Sequence, residues 1–296
     1  METKRKIRIR PELILGLVAL LAVAGTVWLF LECVPLILAE RPVVAAPTEP
    51  VSDDGPVAFM AEEPEEVIGE TVPPESNPYT KRDFQYDRHN YLLCQAQESY
   101  PGVDVSLYQG DIQWDLVEAS GIRFAMVRLG YRGWGKAGKL VEDDNAMKNL
   151  RGARAAGLQV GAYFFSQALT REEVDQEIEF MLNILEDFDL DMPIVLDWEI
   201  PVPEARTANM DPRTLTDLMI YFGDVMEAKG FDTMVYFNWN MSKNLLYLSE
   251  LEDQPFWLAL YQDRMTYPYR VEMWQYTDKG RVPGIQGDVD INVYMP

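Results

Sequence analysis

The chain has 296 residues with a hydrophobic fraction of 48%, and its 26 basic and 48 acidic residues give a formal charge of −22. This length permits one large domain or two smaller ones, and the acidic balance argues against a nucleic-acid surface, which needs clustered Lys and Arg. With only Cys33 and Cys94 there is no disulfide framework. The single histidine, His89, precedes the segment predicted to fold, which argues against Ser–His and Cys–His nucleophiles and a histidine-rich zinc site.

The N-terminus predicts a membrane anchor. Five basic residues between positions 4 and 10 precede an uncharged run from Leu13 to Leu31, which is long enough to span a bilayer as a helix and long for a cleaved signal peptide. The flanking charges place residues 1–12 in the cytoplasm, a single transmembrane helix over 13–38 and the rest of the chain outside the cell membrane. Processing near Ala39 or Ala46 is the alternative.

Residues 39–98 predict a disordered acidic linker. Pro, Glu, Asp, Val and Ala dominate this segment, which buries too little apolar surface to offset the entropy of ordering. The more aromatic part from Tyr79 to Cys94 is the part able to pack on a domain. The folded domain is predicted over residues 99–296.

From about Tyr100 onward, strand-like apolar runs alternate with helical patterns. The predicted strands are Gly102–Ser106, Arg123–Gly130, Gln159–Ser166, Met192–Glu199, Thr233–Asn238, Phe256–Tyr261, Val271–Tyr276 and Asp288–Val293. The predicted helices are Asp144–Ala156, Arg171–Asp187 and Pro212–Lys229. This alternation predicts an α/β fold with a parallel sheet closed into a TIM-like (β/α) barrel. The last connections are too short for full crossover helices, so we expect an irregular barrel.

The fourth predicted strand ends on two acids. In the stretch MPIVLDWEI, Asp197 and Glu199 flank Trp198, and side chains two residues apart in a strand share a face. Carboxylates are costly to bury unless they pair, bind a cation or do chemistry. A capped or salt-bridged strand end is the structural alternative.

The active sites of parallel barrels lie at the carboxyl ends of the strands, where Asp104 is predicted to join Asp197 and Glu199 as a catalytic residue. The residues predicted to bind substrate there are Asp290, Tyr163, Tyr236, Tyr261, Trp274 and Tyr276. For any single aromatic residue, core packing is the alternative. Their joint placement favours a pocket with aromatic walls.

Acids and aromatic rings together suit a carbohydrate substrate. Cleavage of a glycosidic bond needs one carboxyl group that is still protonated near neutral pH, and neighbouring like charges raise a carboxyl pKa. Glu199 is therefore the candidate acid. A Mg²⁺ or Ca²⁺ site built from the same acids is the competing chemistry, but no phosphate-binding Gly-rich loop accompanies it. We expect no metal and no cofactor.

The domain resembles glycoside hydrolase family 25, the Chalaropsis-type lysozymes or N-acetylmuramidases. The resemblance runs from about Gly102 to Tyr294 and rests on five segments in order: GVDVSLYQGDIQW, EDDNAMKNLRGARAAGLQVGAYFF, PIVLDWE, FWLALY and MWQYTDKGRVPGIQGDVDINVY. It implies an irregular barrel that hydrolyses the β-1,4 bond between N-acetylmuramic acid and N-acetylglucosamine in peptidoglycan.

The resemblance also implies residue roles. Glu199 matches the proton donor, and Asp197 matches the partner that orients the substrate's 2-acetamido group as an internal nucleophile. Asp104 and Asp290 match further acids of the pocket. This chain departs from the family at Phe164, where many members have His, so a family hydrogen bond is missing.

The leading hypothesis is a membrane-anchored lysozyme with an extracytoplasmic catalytic domain. One alternative is a tethered peptidoglycan-binding module without turnover, and another is a hydrolase of a related amino-sugar polymer such as chitin. The acidic charge suggests a use for the anchor, because many bacterial walls are anionic and would repel a free acidic enzyme. A tether replaces attraction by confinement.

Overall fold

The computed structural model describes residues 74–186 and 188–296. The predicted cytoplasmic segment, the anchor over 13–38 and residues 39–73 of the predicted linker lie outside the described residues. Within the two described ranges, none of the helices combines the length and the apolarity that crossing a membrane requires.

A sheet of mixed direction forms the centre of the domain. Its strands and those of a small hairpin are β1 (Phe84–Tyr86), β2 (Leu92–Cys94), β3 (Tyr100–Val105), β4 (Phe124–Arg132), β5 (Leu140–Glu142), β6 (Gln159–Ser166), β7 (Ile194–Trp198), β8 (Thr233–Asn238), β9 (Phe256–Ala259), β10 (Met273–Gly280) and β11 (Val289–Tyr294). The order in the large sheet is β3-β11-β10-β9-β8-β7-β6-β4-β5, and β3 also pairs with β4. That last pairing closes eight strands into a barrel, with β5 as an extension at its edge.

Helices connect several of the strands. They are α1 (Trp114–Ala119), α2 (Ala146–Ala155), α3 (Arg171–Ile184), α4 (Pro212–Glu227) and α5 (Trp239–Asn244), with 3₁₀ turns at Leu107–Gln109 and Leu248–Glu250. The long helices begin at side-chain caps: the Thr170 hydroxyl accepts from Glu173 N at 3.3 Å and the Asp211 carboxylate from Thr214 N at 2.9 Å. α4 ends before Gly230, whose φ of 89° is a left-handed conformation that glycine adopts without strain.

The barrel prediction is confirmed, but the sheet is not fully parallel. β11 runs antiparallel to both β10 and β3. Only residues 281–288 connect β10 to β11, and a parallel crossover needs a dozen or more. The connection between β9 and β10 is longer, and these two strands remain parallel.

Part of the predicted linker folds onto the barrel. β1 and β2 form an antiparallel hairpin, the Phe84 ring lies 5.2 Å from the Trp274 ring, and Leu92 N donates to the Tyr276 hydroxyl at 3.2 Å. Ser76 forms a β-bridge with Tyr269. The aromatic side chains of this segment cover the outer face of β10, so the folded domain extends before residue 99, to residue 76 at least.

The barrel interior is a packed core rather than a pore. Its buried side chains are Phe124, Met126, Met192, Val195, Met234, Tyr236, Trp257, Ala259 and Met273. Asp104 pairs in register with Met126 on the neighbouring strand. The polar end of the barrel therefore lies directly next to this apolar core.

An ion-pair network joins β4, α3 and the segment after β7 on the outside of the barrel. We call it the outer cluster; it consists of Arg132, Glu173, Glu177 and Arg206. Arg132 Nε lies 2.6 Å from Glu177 Oε1, and Arg206 Nη2 lies 2.6 Å from Glu173 Oε1. The second Glu177 oxygen accepts from the Ser166 hydroxyl at 2.6 Å. The buried Glu177 and the half-buried Glu173 therefore each have an arginine as their counter-charge.

Candidate active site

The two acids of β7 reach the barrel mouth because of strand alternation. Val195 lies in the interior core, and Asp197 and Glu199 follow at intervals of two residues, so all three share the inner face. Trp198 faces the other way and is fully buried, with its indole Nε1 donating to Ala168 O at 2.8 Å. Both carboxyl groups therefore lie at the carboxyl end of β7, half-buried.

Asp104 and Asp290 form a second pair of acids across the mouth. They are direct partners on the antiparallel strands β3 and β11, and their carboxyl groups share a hydrogen bond. Burial and the neighbouring Asp104 charge raise the pKa of Asp290 to about 8. Burial also raises the pKa of Asp104, against several hydrogen bonds that favour its charged form. Asp290 is therefore the member that keeps the proton.

Two amides hold Asp104 in place. Its Oδ2 accepts from Gln275 Nε2 and from Asn292 Nδ2, each at 2.8 Å. Trp257 Nε1 donates to Asn292 Oδ1 at 2.8 Å, and the Tyr261 hydroxyl donates to Gln275 Oε1 at 3.1 Å. Because each amide oxygen is already occupied, each amide nitrogen faces Asp104.

Asp197 is held in an environment that favours its protonated form. Burial raises its pKa well above the usual range, and the charges of Glu199 and Asp104 raise it further. Arg128 opposes this shift, but its guanidinium is also paired with Asp143 at 2.8 Å. Asp197 Oδ1 is buried without a hydrogen-bond partner among the described residues. A buried oxygen without a donor adds to the cost of the charged form of this carboxyl group.

Glu199 is fixed through its backbone and keeps a raised pKa. Its carbonyl oxygen accepts from Gln167 Nε2 at 2.7 Å and lies 3.2 Å from the Thr207 hydroxyl. Burial raises the pKa of the carboxyl group, a hydrogen bond from Tyr236 lowers it, and the Asp104 charge raises it. The balance favours a carboxyl group that remains protonated at a higher pH than an exposed one.

We call Asp104, Asp197, Glu199 and Asp290 the mouth acids. Three of the predicted aromatic residues lie with them. Tyr163 and Tyr236 pack on Trp257, with ring centroids 6.3 Å and 5.0 Å away. Burial raises the pKa of both hydroxyls well above the usual value of 10, and the charges of the nearby acids raise it further. Tyr261 lies at the rim with 54% of its surface exposed.

The prediction that Trp274 and Tyr276 line the mouth is wrong. Both are buried on the outer face of β10, where the Trp274 indole donates to Leu260 O at 2.8 Å and the rings lie 5.9 Å apart. The inward residues of this strand are Met273 and Gln275. Alternation fixes only which residues share a face, and the aromatic set belongs to the outer one.

Phe164, the position that departs from the family, also lies outside the mouth. It is fully buried, and its ring lies 6.0 Å from the Phe180 ring of α3. The hydrophobic contact with the helix therefore replaces any polar role at this position.

Sequence reasoning missed the two amides that hold Asp104. The signal was present, since Gln275 alternates with Trp274 and Tyr276, and Asn292 follows Asp290 by two residues. Their roles depend on contacts between distant strands that no local pattern gives. Among the described residues, no group of His, Cys, Asp and Glu is arranged to hold a metal ion.

A cleft of about 710 Å³ opens at the opposite end of the barrel. Its acids, Asp191, Glu227 and Asp232, are exposed, and Asp191 pairs with Arg154 at 2.8 Å. Exposed and paired acids carry ordinary surface charge. The mouth acids are the better candidate site because burial and mutual repulsion perturb their ionisation.

A barrel whose mouth holds several protonatable carboxyl groups beside aromatic rings has the site of a glycoside hydrolase. The family model for glycosyl hydrolases family 25 matches residues 103–285, more than half of the chain. The chain belongs to this family.

Curated relatives carry lysozyme names. The chain is 26% identical over 194 residues to the autolytic lysozyme of Clostridium acetobutylicum, covering 65% of this chain and 55% of that one. It is 28% identical over 215 residues to lysozyme M1 of Streptomyces globisporus, covering 65% and 67%. The chain therefore spans little more than half the length of the clostridial relative.

The fold is also that of a solved autolysin. The modular autolysin LytC from Streptococcus pneumoniae, solved in complex with a synthetic peptidoglycan ligand, matches with a TM-score of 0.60 at 21% identity. The match covers 75% of this chain and 52% of the autolysin. At this identity the likeness supports the fold alone.

Proposed function

We propose that the protein is a lysozyme that hydrolyses the β-1,4 bond between N-acetylmuramic acid and N-acetylglucosamine in peptidoglycan. The observation that carries this proposal is the half-buried pair Asp197 and Glu199, whose pKa values are both raised. Family membership and the lysozyme names of the relatives support the same reaction.

In this mechanism Glu199 is the general acid. Its proton passes to the glycosidic oxygen as the bond to the anomeric carbon breaks, and the leaving sugar departs as an alcohol. The carboxylate then removes a proton from the water that completes hydrolysis. The hydrogen bonds to the Glu199 carbonyl fix its backbone, and the hydrogen bond from Tyr236 orients the carboxyl group.

Asp197 is the residue that positions the substrate's own nucleophile. The half-buried Asp197 carboxyl group, one of whose oxygens lacks a partner among the described residues, can accept the N–H of a 2-acetamido group, which turns the acetamido oxygen toward the anomeric carbon. A hydrogen bond to the charged form favours that form. Substrate binding would therefore ionise Asp197, whose proton passes to solvent, while Glu199 keeps its own proton. Because such substrate assistance is an exception to the two-carboxylate rule, the acid spacing does not predict stereochemistry.

The remaining mouth residues would shape the pocket. Asp104 and Asp290 present oxygen acceptors to sugar hydroxyls, with Asp104 held by its two amides. Tyr163, Tyr236 and Tyr261 offer aromatic faces and hydroxyls at the same end of the barrel. Such faces stack on the apolar faces of sugar rings.

Mass spectrometry of the fragments released from purified peptidoglycan tests the reaction. We expect new reducing ends on N-acetylmuramic acid. Release of reducing ends from chitin but not from peptidoglycan would instead identify a hydrolase of a related amino-sugar polymer. Sedimentation with insoluble peptidoglycan without any release would instead indicate a binding module.

We further propose that a transmembrane helix over residues 13–38 anchors the domain at the outer face of the cell membrane. Its support is the uncharged run and its basic flank. Glu75 pairs with Arg270 at 3.2 Å, and Arg270 with Glu272 at 3.0 Å. Glu272 in turn accepts from Phe256 N at the amino end of β9. The chain therefore enters the domain at the end of the barrel opposite the mouth.

Cleavage at a protease site inserted within residues 40–73 tests the anchor on intact cells. We expect cleavage to release the domain from the membrane fraction and to slow wall digestion. Equal digestion before and after release would refute the role of the tether.

A further inference from the structure

The connection between β4 and β5 rises above the barrel mouth. We call residues Gly133–Lys139, sequence GWGKAGK, the rim hairpin. Tyr131 of β4 is paired with Phe165, which is paired with Asp197. The rim hairpin begins two residues beyond Tyr131, so it starts just past the level of the acids, on the mouth side.

The rim hairpin is held in a fixed position beside the segment that leaves the catalytic strand. Gly133 N donates to Lys139 O at 2.8 Å, and Arg206 N, in the segment after Glu199, donates to Trp134 O at 3.0 Å. Gly138 has a φ of 49°, which glycine adopts without strain, and it packs so closely on the Arg206 guanidinium that a side chain here would displace it. Because the backbone of the rim hairpin is fixed, the hairpin can bind a ligand with little loss of backbone conformational entropy.

The side chains of the rim hairpin differ from the rest of the mouth in charge and polarity. Trp134 is 52% exposed, and Lys136 and Lys139 are exposed. Across residues 74–186 and 188–296, no carboxylate lies within ion-pair distance of either ammonium group. In a chain with a net charge of −22, the rim hairpin thus presents an exposed ring beside two unpaired positive charges.

We infer that the rim hairpin recognises the peptide-substituted part of the peptidoglycan strand, an inference that rests on the proposed function. Trp134 would stack on a sugar ring beside the cleaved bond, and Lys136 and Lys139 would pair with carboxylates of the stem peptide. Stem peptides branch from N-acetylmuramic acid and carry free carboxylates, whereas chitin is neutral and unbranched. The rim hairpin therefore selects peptidoglycan over chitin.

Two variants separate the ring from the charges. Wild type, Trp134→Ala and the double variant Lys136→Ala with Lys139→Ala are assayed on peptidoglycan and on glycan strands stripped of stem peptides by an amidase. We expect Trp134→Ala to raise KM about tenfold on both substrates. The lysine variant should raise KM about threefold to tenfold on peptidoglycan only, with this effect disappearing at high salt. Neither variant should change kcat.

Matched controls are Tyr86→Ala, an aromatic residue of similar exposure on β1, and Lys229→Ala, an exposed lysine after α4. Both should behave as wild type. An unchanged KM for Trp134→Ala, or an equal effect of the lysine variant on stripped strands, would overturn the inference.

Sedimentation of the hairpin variants in a Glu199→Gln background with insoluble peptidoglycan measures the same contacts without turnover. If wild type releases no reducing ends while these variants still lose binding, the proposed reaction fails and the recognition role stands.

Discussion

The protein contains two groups of buried and half-buried acids, and they differ in what balances their charge. Each glutamate of the outer cluster has an arginine within 2.6 Å. The mouth acids have amides, tyrosine hydroxyls and one another, and Arg128, the cation that opposes the pKa shift of Asp197, is also paired with Asp143. A guanidinium partner favours the ionised form of an acid: Arg132 opposes the burial that raises the pKa of Glu177 to about 7, and the ion pair holds structure. An acid surrounded by other acids holds a proton that it can donate.

The contrast also explains where each group lies. The outer cluster joins β4 to α3 and to the segment containing Arg206, so its ion pairs fix the positions of these elements relative to one another. The mouth acids lie at the open end of the barrel, next to the apolar core of its interior. Repulsion among them is tolerated there because the rest of the barrel is well packed.

The largest predicted effect is loss of turnover in Glu199→Gln. The amide cannot donate the proton that the leaving oxygen needs, so kcat should fall about 10² to 10⁴-fold. The free energy of unfolding should not fall, because glutamine replaces a carboxyl group that has no cationic partner and whose charged form burial already disfavours. Reducing-end release and urea unfolding measure the two quantities. Release at the wild-type rate would remove Glu199 from its assigned role.

The opposite pattern is expected for Glu177→Gln in the outer cluster. Arg132 would remain buried without its counter-charge, so the free energy of unfolding should fall by about 3–5 kcal/mol. The kcat of the folded enzyme should stay the same. Glu179→Gln, an exposed position on the same helix, is the control and should change stability by less than about 0.5 kcal/mol. A loss of kcat with unchanged stability would contradict the division between the clusters.

A smaller effect concerns the dependence of stability on pH. The pKa of Asp290 is raised from 3.8 to about 8, so the folded state binds a proton that the unfolded state has released. Its stabilising contribution is complete below about pH 4 and is lost as pH rises through about 8. Asp290→Asn should therefore lose less stability than wild type over this interval. Denaturant unfolding at several pH values tests this, with exposed Asp288→Asn as the control. Parallel curves for wild type and Asp290→Asn would contradict the shared proton.

Much of the fold could be predicted because local patterns fix it. The observed bounds of β6 and β8 agree with the predicted strands, and α3 and α4 begin at the predicted residues, Arg171 and Pro212. The short elements β5, α1 and α5 were not predicted, since three to six residues carry little periodicity. The direction of β11 was predicted incorrectly, although its short connection already favoured an antiparallel strand.

The candidate site was predicted only in part, because strand alternation is a local pattern whereas contacts between distant residues are not. Asp104, Asp197, Glu199 and Asp290 follow strand alternation, and the barrel brings their strands together. Preference for aromatic residues selected Trp274, whereas the inner face of β10 holds Gln275. Contacts such as Arg132 with Glu177, distant in sequence, depend on how the helices pack, and no local pattern shows them.

The most direct test of the central claim is the pH dependence of kcat/KM for reducing-end release from peptidoglycan. Burial and the Asp104 charge raise the pKa of Glu199, so activity should persist above the pKa of about 4.3 that an exposed glutamate has. It should then fall about tenfold per pH unit as the donor loses its proton. An activity that already falls through pH of about 4.3, or one without any decline at high pH, would contradict the claim that the mouth acids keep Glu199 protonated.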